Sequence, residues 1–551
     1  MNHMKKTLAL AVAVTALGLT ACSSSDSDDI TDSGSDNGSD NGSDNGSDNG
    51  SDTGGFPNFQ TEFSNTDRYG VTVDNALTID NQTLAIRTDE SASPDTAGPF
   101  QTPNGNSVEA NGFHGAVDPT ADAPDGTPDN GGPFWDGWTY RSSELSTNLP
   151  GNTENFHPLE ADITNGDLTP AGSSNCANIA GGLADGGTTD VFGVSFPVCT
   201  ISDGDLDGDF TLTNDHVYVL ANTVQVGNGD VESASDPTTV QNNALTVEPG
   251  TQIMGDDNAE TSLVVTRGSE IDVNGTAQQP VIFGAVSFEN GSIQDDVTNL
   301  DDRGSWGSLV LAGYGEVNIA NDDDQAQTEA VPTGVTRWYG GTDNSDSSGT
   351  VEYAVVAETG TAFRQDEEVQ GITVEAVGDQ TTLRNIQVIN SDDDGVEFFG
   401  GAANVRNLVI QAPTDDPLDQ DQGWQGTGNT ALVIFGPFAG NRGMESDGNG
   451  DNFGATPKTT PVWTNVTILG NRGNEGDQST GALHREGFGG QVYRSVYTDN
   501  TSGVAGGAAA PAAEFQEGCL DVDDELDEDL EYGDVLFNCT NGALVDDDDS
   551  E

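Results

Sequence analysis

"TLRNIQVIN" (Thr382–Asn390) and "NVRNLVIQ" (Asn404–Gln411) decide the fold, because a short aliphatic run follows an asparagine in both stretches. Related runs occur further along the chain in "TALVIFG" (Thr430–Gly436) and "WTNVTILGN" (Trp463–Asn471). A repeat with one short aliphatic strand per unit is typical of a solenoid, in which each unit buries its apolar face only by stacking on its neighbours.

The spacing of these strands predicts the size of a coil. Aligning Ile386, Leu408 and Leu432 gives steps of 22 (408 − 386) and 24 (432 − 408) residues. The longer step to Val466 indicates an inserted loop. The predicted fold class is all-β, a right-handed parallel β-helix. Matching asparagines precede three of the strands and predict an internal asparagine ladder, made of Asn385, Asn407 and Asn465.

Several longer motifs follow one another in a set order: "LTVEPGTQIMG", "LVVTRGSEIDVNGTAQQPVIF", "RGSWGSLVLAGYGEVN", "DDGVEFFGG" and "GALHREGFGG". This order resembles that of a family of bacterial β-helix surface lipoproteins, which are often encoded near outer-membrane receptors. The resemblance spans most of residues 110–530. It implies a β-helix at the cell surface, and it brings no established activity with it.

The N-terminus is predicted to be a targeting segment. Residues 1–21 combine a basic start with an apolar run that is too short to span a membrane, and the run ends in "LTAC" (Leu19–Cys22). This resembles a bacterial lipobox, which implies lipid on Cys22 and anchoring to the outer membrane. Residues 22–55 are rich in Ser, Asp, Asn and Gly and are predicted to form a disordered tether.

Three further segments are predicted after the tether. Residues 56–216 form an irregular β-rich region, residues 217–500 form the β-helix, and residues 501–551 form an acidic C-terminal segment with a disulfide. In the irregular region, Trp135 and Trp138 are expected to pack on a neighbouring face of the protein, and stacking on a sugar is the alternative.

The five cysteines fit an exported protein. With Cys22 carrying lipid, an even number remains, which predicts disulfides. Three pairings are possible, and the local one is favoured, joining Cys176 to Cys199 and Cys519 to Cys539. Each such bond would stabilise the fold by about 3 kcal/mol in the chain-entropy model.

The balance of charge excludes one class of partner. The chain has 93 acidic and 16 basic residues, for a formal net charge of −77. Such a chain repels phosphate backbones, so binding to nucleic acid is not expected. The excess of acid fits either solubility in a saline medium or specific binding of cations.

One stretch concentrates the acidic residues. "NSDDDGVEFFGG" (Asn390–Gly401) places three aspartates in a turn before a strand, and "TDDPLDQDQGW" (Thr414–Trp424) repeats the pattern one coil later. "GMESDGNGDN" (Gly443–Asn452) adds further acidic residues, and the predicted column of stacked carboxylates is called the acidic file. Carboxylates at equal phase on stacked coils lie about 5 Å apart. The phases suggested by the spacing are Asp393 over Asp416 and Glu397 over Asp421.

Such a file needs a neutralising charge. Arg406 and Arg442 could supply it, or calcium could, because calcium takes roughly six to eight oxygen ligands. Solvated turn residues and a catalytic carboxylate cluster are the two alternatives. The candidate calcium ligands are Asp392, Asp393, Asp394, Asp415, Asp416, Asp419 and Asp421.

A second candidate calcium site is "DGDLDGDFTLTN" (Asp203–Asn214), which matches the first half of a calcium loop, D-x-D-x-D-G. Asn214 stands where that loop requires a glutamate, and the flanking residues are predicted to be strands rather than helices. An acidic hairpin is the alternative. The candidate ligands here are Asp203, Asp205, Asp207 and Asp209.

Two classes of function remain open. The first is a lipid-anchored, non-enzymatic surface protein that binds glycans, an outer-membrane receptor or other cells, with calcium as its candidate cofactor. The second, by analogy of fold, is a lyase or glycoside hydrolase that acts on polysaccharides. A lyase acting on uronates needs a cationic base, yet Lys458 is the only lysine after the signal. A hydrolase could use Asp393, Asp394 and Asp416, whereas His484 is expected to be a packed or exposed turn residue.

Overall fold

A computed structural model describes part of the chain. The described residues are 77–79, 82–87, 100–111, 115–116, 134–135, 137–140, 156–179, 182–204, 206–232, 240–256, 260–286, 303–321, 324–332, 335–363, 369–436, 440–470, 479–499, 515, 518–522, 530–533 and 535–539. The chain divides into two units, Met1–Asn41 and Gly42–Glu551, and all of these residues belong to the second. The signal segment, Cys22 and the tether lie outside the described residues. No helix within the described ranges is both long and apolar enough to cross a membrane.

Nearly all regular elements of the described residues are strands. The first half holds β1 (Leu77–Ile79), β2 (Gln82–Arg87), β3 (Phe100–Gln101), β4 (Ser107–Val108), β5 (Ala184–Val191), β6 (Val194–Ile201), β7 (Phe210–Leu212), β8 (Val217–Leu220), β9 (Val224–Val226), β10 (Ala244–Val247), β11 (Gln252–Gly255), β12 (Leu263–Val265), β13 (Glu270–Asn274), β14 (Val281–Ala285), β15 (Leu309–Ala312), β16 (Ala326–Gln327) and β17 (Trp338–Tyr339). The second half holds β18 (Gly349–Ala357), β19 (Ile372–Glu375), β20 (Thr382–Ile389), β21 (Val396–Phe399), β22 (Asn404–Gln411), β23 (Leu418–Asp421), β24 (Thr427–Ile434), β25 (Glu445–Ser446), β26 (Val462–Leu469), β27 (Leu483–His484), β28 (Gln491–Tyr493), β29 (Val496–Thr498), β30 (Asp521–Val522), β31 (Glu531–Gly533) and β32 (Leu536–Asn538). A short helix, α1 (Glu160–Asn165), and a 3-10 turn at Cys176–Asn178 complete the set.

The strands stack into coils. The front sheet consists of β9, β12, β15, β19, β21 and β23, all parallel, and β25, β27 and β30 form a parallel group that follows it along the chain. The bent sheet consists of the long strands β18, β20, β22, β24 and β26, also parallel. The predicted parallel β-helix is therefore confirmed. Its parallel pairing begins at Val198 with Val217 and continues to Val496 with Leu536, beyond residues 217–500 at both ends.

The register of the bent sheet corrects one step of the repeat. Ile386 pairs with Leu408, as the spacing predicted, but Leu408 pairs with Ala431 rather than with Leu432. Leu432 points outward, where it is buried against Trp135. Because successive residues of a strand face opposite sides, the alignment through Leu432 was wrong by one residue, and Ala431 takes the core position.

Each of the strands β20, β22, β24 and β26 bends at one residue of positive φ. Asn385 (55°), Asn407 (59°) and Asn465 (60°) occupy three of these bends, and Thr430 (65°) occupies the bend between the last two. Asn407 Nδ2 donates to Asn385 Oδ1 at 2.8 Å, which confirms a ladder at this step. Asn465 Oδ1 accepts from the backbone N–H of Asn111 at 2.7 Å, and Asn111 Nδ2 donates to Thr430 Oγ1 at 3.0 Å. At these positions the asparagine side chains therefore face a segment outside the bent sheet, to which Asn111 belongs. The expectation that the ladder is internal was wrong.

The covering segment, defined as the described residues of 100–116 and 134–140, lies on the outside of the bent sheet. Trp138 is fully buried, and its ring meets that of Tyr353 edge to face at 5.6 Å. Trp135 is 2% exposed and belongs to an apolar cluster with Val496. Structural packing is thus confirmed for both tryptophans, and neither offers a ring face to a sugar.

Both local disulfides are confirmed. Cys176 and Cys199 have Cα atoms 5.4 Å apart, and Cys519 and Cys539 have Cα atoms 5.5 Å apart. The first bond joins the 3-10 turn to β6, near the start of the parallel pairing, and the second lies near its end.

The first strands of the chain complete the last coil. β1 and β2 form an antiparallel pair, and β2 is also parallel to β31, with Ala85 opposite Glu531. The solenoid is therefore closed at its C-terminal end by residues from its N-terminal region.

Thr430→Asn is expected to raise the free energy of unfolding by about 1 kcal/mol. A β-branched residue with positive φ stores roughly 1–3 kcal/mol of strain, whereas asparagine tolerates this conformation. Thermal melting measures the effect. The matched control, Asn407→Thr, introduces the same strain one coil earlier and should lower the melting temperature. A lower melting temperature for Thr430→Asn would contradict this account of the bend.

Candidate metal centre

The front sheet carries acidic side chains on its outer face. Val396 and Phe398 belong to the core, so Glu397 between them points outward. Glu397 is paired in register with Asp419 of β23. Asp421 follows Asp419 by two positions and therefore lies on the same outer face. Consecutive coils thus place carboxylates one above another.

The acidic file continues onto β25. The backbone N–H of Asp447 donates to Gln420 O at 3.0 Å, which joins β25 to β23. Arg485 makes two hydrogen bonds to Asp447, at 2.9 and 3.0 Å, and its guanidinium lies 3.3 Å from Glu445 Oε1. The acidic file therefore extends to Glu445 and Asp447, as the pattern of Gly443–Asn452 had suggested, and a single arginine contacts both carboxylates.

The turns before β21 and β23 stack in the same way. The backbone N–H of Asp416 donates to Asp394 Oδ1 at 2.8 Å, so the turn of one coil is held by the turn of the coil before it. Asp416 Oδ1 accepts a hydrogen bond from the backbone N–H of Arg442. Arg442 therefore lies beside the file, as expected. Arg406 does not, because it is exposed on the bent sheet, in register with Arg384.

Two groups of three carboxylates converge in this region. Asp393, Asp394 and Asp415 each place one oxygen within 4.8 Å of the others, and Asp394, Glu397 and Asp419 form a second such group. Asp394 belongs to both. A site built only from carboxylate oxygens suits hard cations, of which calcium accepts the most flexible geometry. The residues present therefore fit calcium.

Two carboxylate oxygens of the same file are buried without a hydrogen-bond partner among the described residues, Asp416 Oδ2 and Asp421 Oδ1. Asp416 is 0% and Asp421 is 2% exposed. A buried carboxylate oxygen that meets neither a donor nor a cation costs free energy. A proton or a metal ion would remove this cost.

Burial raises the pKa of five carboxyl groups on or beside β21 and β23, and the neighbouring carboxylates raise it further. The pKa lies well above its ordinary value for Asp394, Glu397, Asp416, Asp419 and Asp421. Burial also raises the pKa of Glu375, on β19, to about 8 and that of Asp447 to about 7. Without a cation, the folded protein thus holds protons that such groups release in an unfolded chain.

A long loop covers part of this face. The loop, defined as the described residues of 313–348, follows β15 and contains β16 and β17. Tyr339 is 1% exposed and packs with Phe399 of β21 and Val317. The hydroxyl of Tyr339 donates to Gln422, directly after β23. The outer face of the front sheet therefore lies partly beneath protein at this level.

The remaining predicted ligands lie elsewhere. Asp392 is exposed and lies beside Gly304 rather than in either group of three. In the second candidate site, Asp203, Asp207 and Asp209 are exposed, and the described residues of this turn form no group of three carboxylates. Asp205 is outside the described residues. The turn is flanked by β6 and β7, so the strands predicted on either side are confirmed.

The sequence spacing located the acidic file correctly but predicted the wrong pairs of neighbouring carboxylates. Asp416 contacts Asp394 rather than Asp393, and Glu397 pairs with Asp419 rather than with Asp421. Glu397 was missed as a ligand, although its position between two core residues indicates an outward side chain. Glu375 was also missed, because it stands alone at the end of an otherwise uncharged strand.

His484 is packed in the interior, as expected. It is fully buried, its ring stacks on Phe488 with centroids 4.7 Å apart, and its Nε2 forms a hydrogen bond with the hydroxyl of Tyr532. Burial lowers the pKa of His484 to about 3, so the imidazole is neutral at physiological pH.

These features together define a parallel β-helix with buried carboxylates on its front sheet. The chain belongs to the family described as the pectate-lyase like beta helix domain, whose model matches residues 204–531. No curated protein and no solved structure matches the chain. The lipid anchor and the outer-membrane location stay predictions.

The stability of the metal-free protein is expected to fall as pH rises from about 4 to about 8. Across this window the folded state binds more protons than the unfolded state, because burial raises the pKa of Glu375 to about 8 and of Asp447 to about 7. Each fully affected carboxyl costs about 1.4 kcal/mol per pH unit. Thermal melting in chelator at pH 5 and pH 8 measures the slope, and a higher melting temperature at pH 8 would contradict it.

Proposed function

We propose that the chain is a lipid-anchored, cell-surface β-helix that binds glycans without cleaving them, and that calcium stabilises its front sheet. The observation that carries the proposal is the pair of carboxylate groups that share Asp394. The lipobox that ends at Cys22 supports the anchor. Membership of the pectate-lyase like family supports a polysaccharide as the ligand.

The need for a cation follows from the charges on the front sheet. Asp394, Glu397 and Asp419 are at most 8% exposed, and their oxygens converge to within 4.8 Å. Two carboxylates at such a distance repel by about 1 kcal/mol in water and by more where water is excluded. Arg485 is held by Asp447 and Glu445, farther along the file. Calcium would neutralise the remaining carboxylates and supply a partner for their oxygens.

The placement of four candidate catalytic groups favours binding over cleavage. Asp416 is 0% exposed, so it cannot reach a glycosidic bond as the structure stands. His484 is buried in the core. The guanidinium of Arg485 is paired with two carboxylates, and they raise its pKa, which makes it a poor base for a lyase. Lys458 donates to a backbone carbonyl, Phe453 O, at 2.8 Å.

Calcium is expected to raise the melting temperature by a few degrees more than sodium at matched ionic strength. Binding to the folded state alone adds about 2.7 kcal/mol at a hundredfold excess over Kd. General screening would act equally through sodium. In chelator, Glu397→Gln should have a higher melting temperature than the wild type, because it removes one buried like charge. On addition of calcium, its melting temperature should rise by at most half as much as that of the wild type.

Asp207→Asn is the matched control for that experiment, since it removes one charge from an exposed turn. It should leave both melting temperatures unchanged. Equal melting curves in calcium and sodium would overturn the calcium site. Release of unsaturated or reducing sugars from a panel of polysaccharides would overturn the non-enzymatic assignment, and an array on which no glycan binds would overturn the ligand.

Cys22→Ala is expected to release the protein from the membrane fraction. The substitution removes the only sulfur at the predicted lipidation position, while the β-helix keeps all of its own contacts. Fractionation followed by immunoblotting measures the change, and Ser23→Ala is the neighbouring control that should stay in the membrane. Membrane retention of Cys22→Ala would place the anchor elsewhere in the chain.

A further inference from the structure

A histidine lies against the first disulfide. One ring nitrogen of His216 and the sulfur atoms of Cys176 and Cys199 all lie within 4.8 Å of one another. The three residues are at most 1% exposed. Cys199 is on β6, and His216 directly precedes β8, which is parallel to β6. The pairing of these two strands therefore brings the imidazole to the sulfurs.

The orientation of His216 is set by its neighbour. His216 Nδ1 lies 2.7 Å from Asp215 Oδ1, and the same oxygen accepts from Thr213 Oγ1 at 2.6 Å. His216 Nε2 is buried and has no hydrogen-bond partner among the described residues. When a carboxylate accepts the Nδ1 proton, Nε2 keeps its lone pair and becomes a metal ligand. The structure thus holds, beside two sulfurs, an oriented imidazole with one nitrogen that makes no hydrogen bond among the described residues.

We propose that reduction of the Cys176–Cys199 disulfide turns this cluster into a binding site for a zinc-class divalent ion, with Cys176, Cys199 and His216 as the protein ligands. A thiol or phosphine reductant supplies two electrons, the S–S bond breaks, and each sulfur takes one proton. The metal then displaces both protons and binds two thiolates and the imidazole. Two thiolates with one imidazole form a ligand set that zinc accepts in tetrahedral sites.

The local structure allows the required movement. Zinc–sulfur bonds of about 2.3 Å in a tetrahedron require the two sulfurs to separate by roughly 2 Å relative to a disulfide. Cys199 is fixed because β6 pairs with both β5 and β8. Cys176 lies in the 3-10 turn Cys176–Asn178, outside the sheet, so it is the sulfur that moves. Ser174 Oγ, 3.2 Å from Cys176 Sγ, or a water molecule can fill the fourth position.

The second disulfide is an internal control. The sulfurs of Cys519 and Cys539 lie 3.5 and 3.8 Å from Tyr497 O. Within the described ranges, no histidine or carboxylate completes a group of three with them. A reduced Cys519–Cys539 pair therefore offers only two ligands, and it should bind the ion more weakly than the first pair.

Cobalt titration of the full chain tests the proposal. The Cys22→Ala background leaves thiols only from the two disulfides, and excess calcium occupies carboxylate sites. After reduction with a phosphine, we expect one Co²⁺ per chain, with thiolate-to-cobalt absorption in the near ultraviolet and the visible bands of tetrahedral cobalt. The oxidised protein should show neither. Zinc should displace the cobalt and remove both signals.

Variants assign the ligands. His216→Ala should weaken cobalt binding at least tenfold, and Asp215→Asn should weaken it about tenfold, because it removes the group that orients the imidazole. The double variant Cys519→Ser with Cys539→Ser should keep the full signal. Absence of the signal from the reduced protein, an unchanged affinity in His216→Ala, or loss of the signal with the second pair would each overturn the proposal.

A measurement without ligand variants covers the case in which a substitution prevents folding. In the reduced Cys22→Ala protein, zinc should protect Cys176 and Cys199 from maleimide at least tenfold more than it protects Cys519 and Cys539, as mapped by mass spectrometry. Equal protection of all four cysteines, or none, would overturn the site.

Discussion

Every coil of this protein has to repeat in phase with the coil beneath it, because parallel backbone hydrogen bonds hold neighbouring strands about 5 Å apart. Whatever side chain occupies one position therefore lies directly over its equivalents. In the bent sheet this constraint stacks Ile386, Leu408 and Ala431 into a continuous core. In the front sheet the same constraint stacks Glu397 on Asp419. Apolar packing and carboxylate crowding thus have one cause.

The crowding couples the fold to its surroundings. A stack of carboxylates that faced open water would be hydrated and screened. Asp416 and Asp421 are instead buried, and Tyr339 of the long loop after β15 packs near the same face. Their charge then has to be met by protons or by metal ions, because Arg485 is held by Glu445 and Asp447. A chain with a formal net charge of −77 adds a general repulsion to this local one. The medium is therefore part of what determines the stability of the β-helix.

The sequence alone predicted the repeating coil, but it did not predict which residue of every strand takes the core position. Ile386 and Leu408 each directly follow an Arg-Asn pair, which aligns the two runs, so their pairing was predictable. Ala431 and Leu432 are both apolar, and both are buried, because Trp135 from the distant covering segment shields the outward residue. No local pattern distinguishes them. The same holds for the turns, where Asp394 converges with its neighbours and Asp392 does not, since the backbone path through the turn decides which carboxylate joins the group.

The pairing of β2 with β31 imposes an order of assembly. The ribosome delivers Gln82–Arg87 long before Glu531–Gly533, yet these two strands are neighbours in the finished protein. The intervening coils can stack one after another as they emerge, whereas β2 has to wait for the final coil. A chain truncated before Glu531 would leave β2 without its parallel neighbour and expose a strand edge. Only a chain that extends through Glu531–Gly533 can therefore pair β2 on both sides, with β1 and with β31.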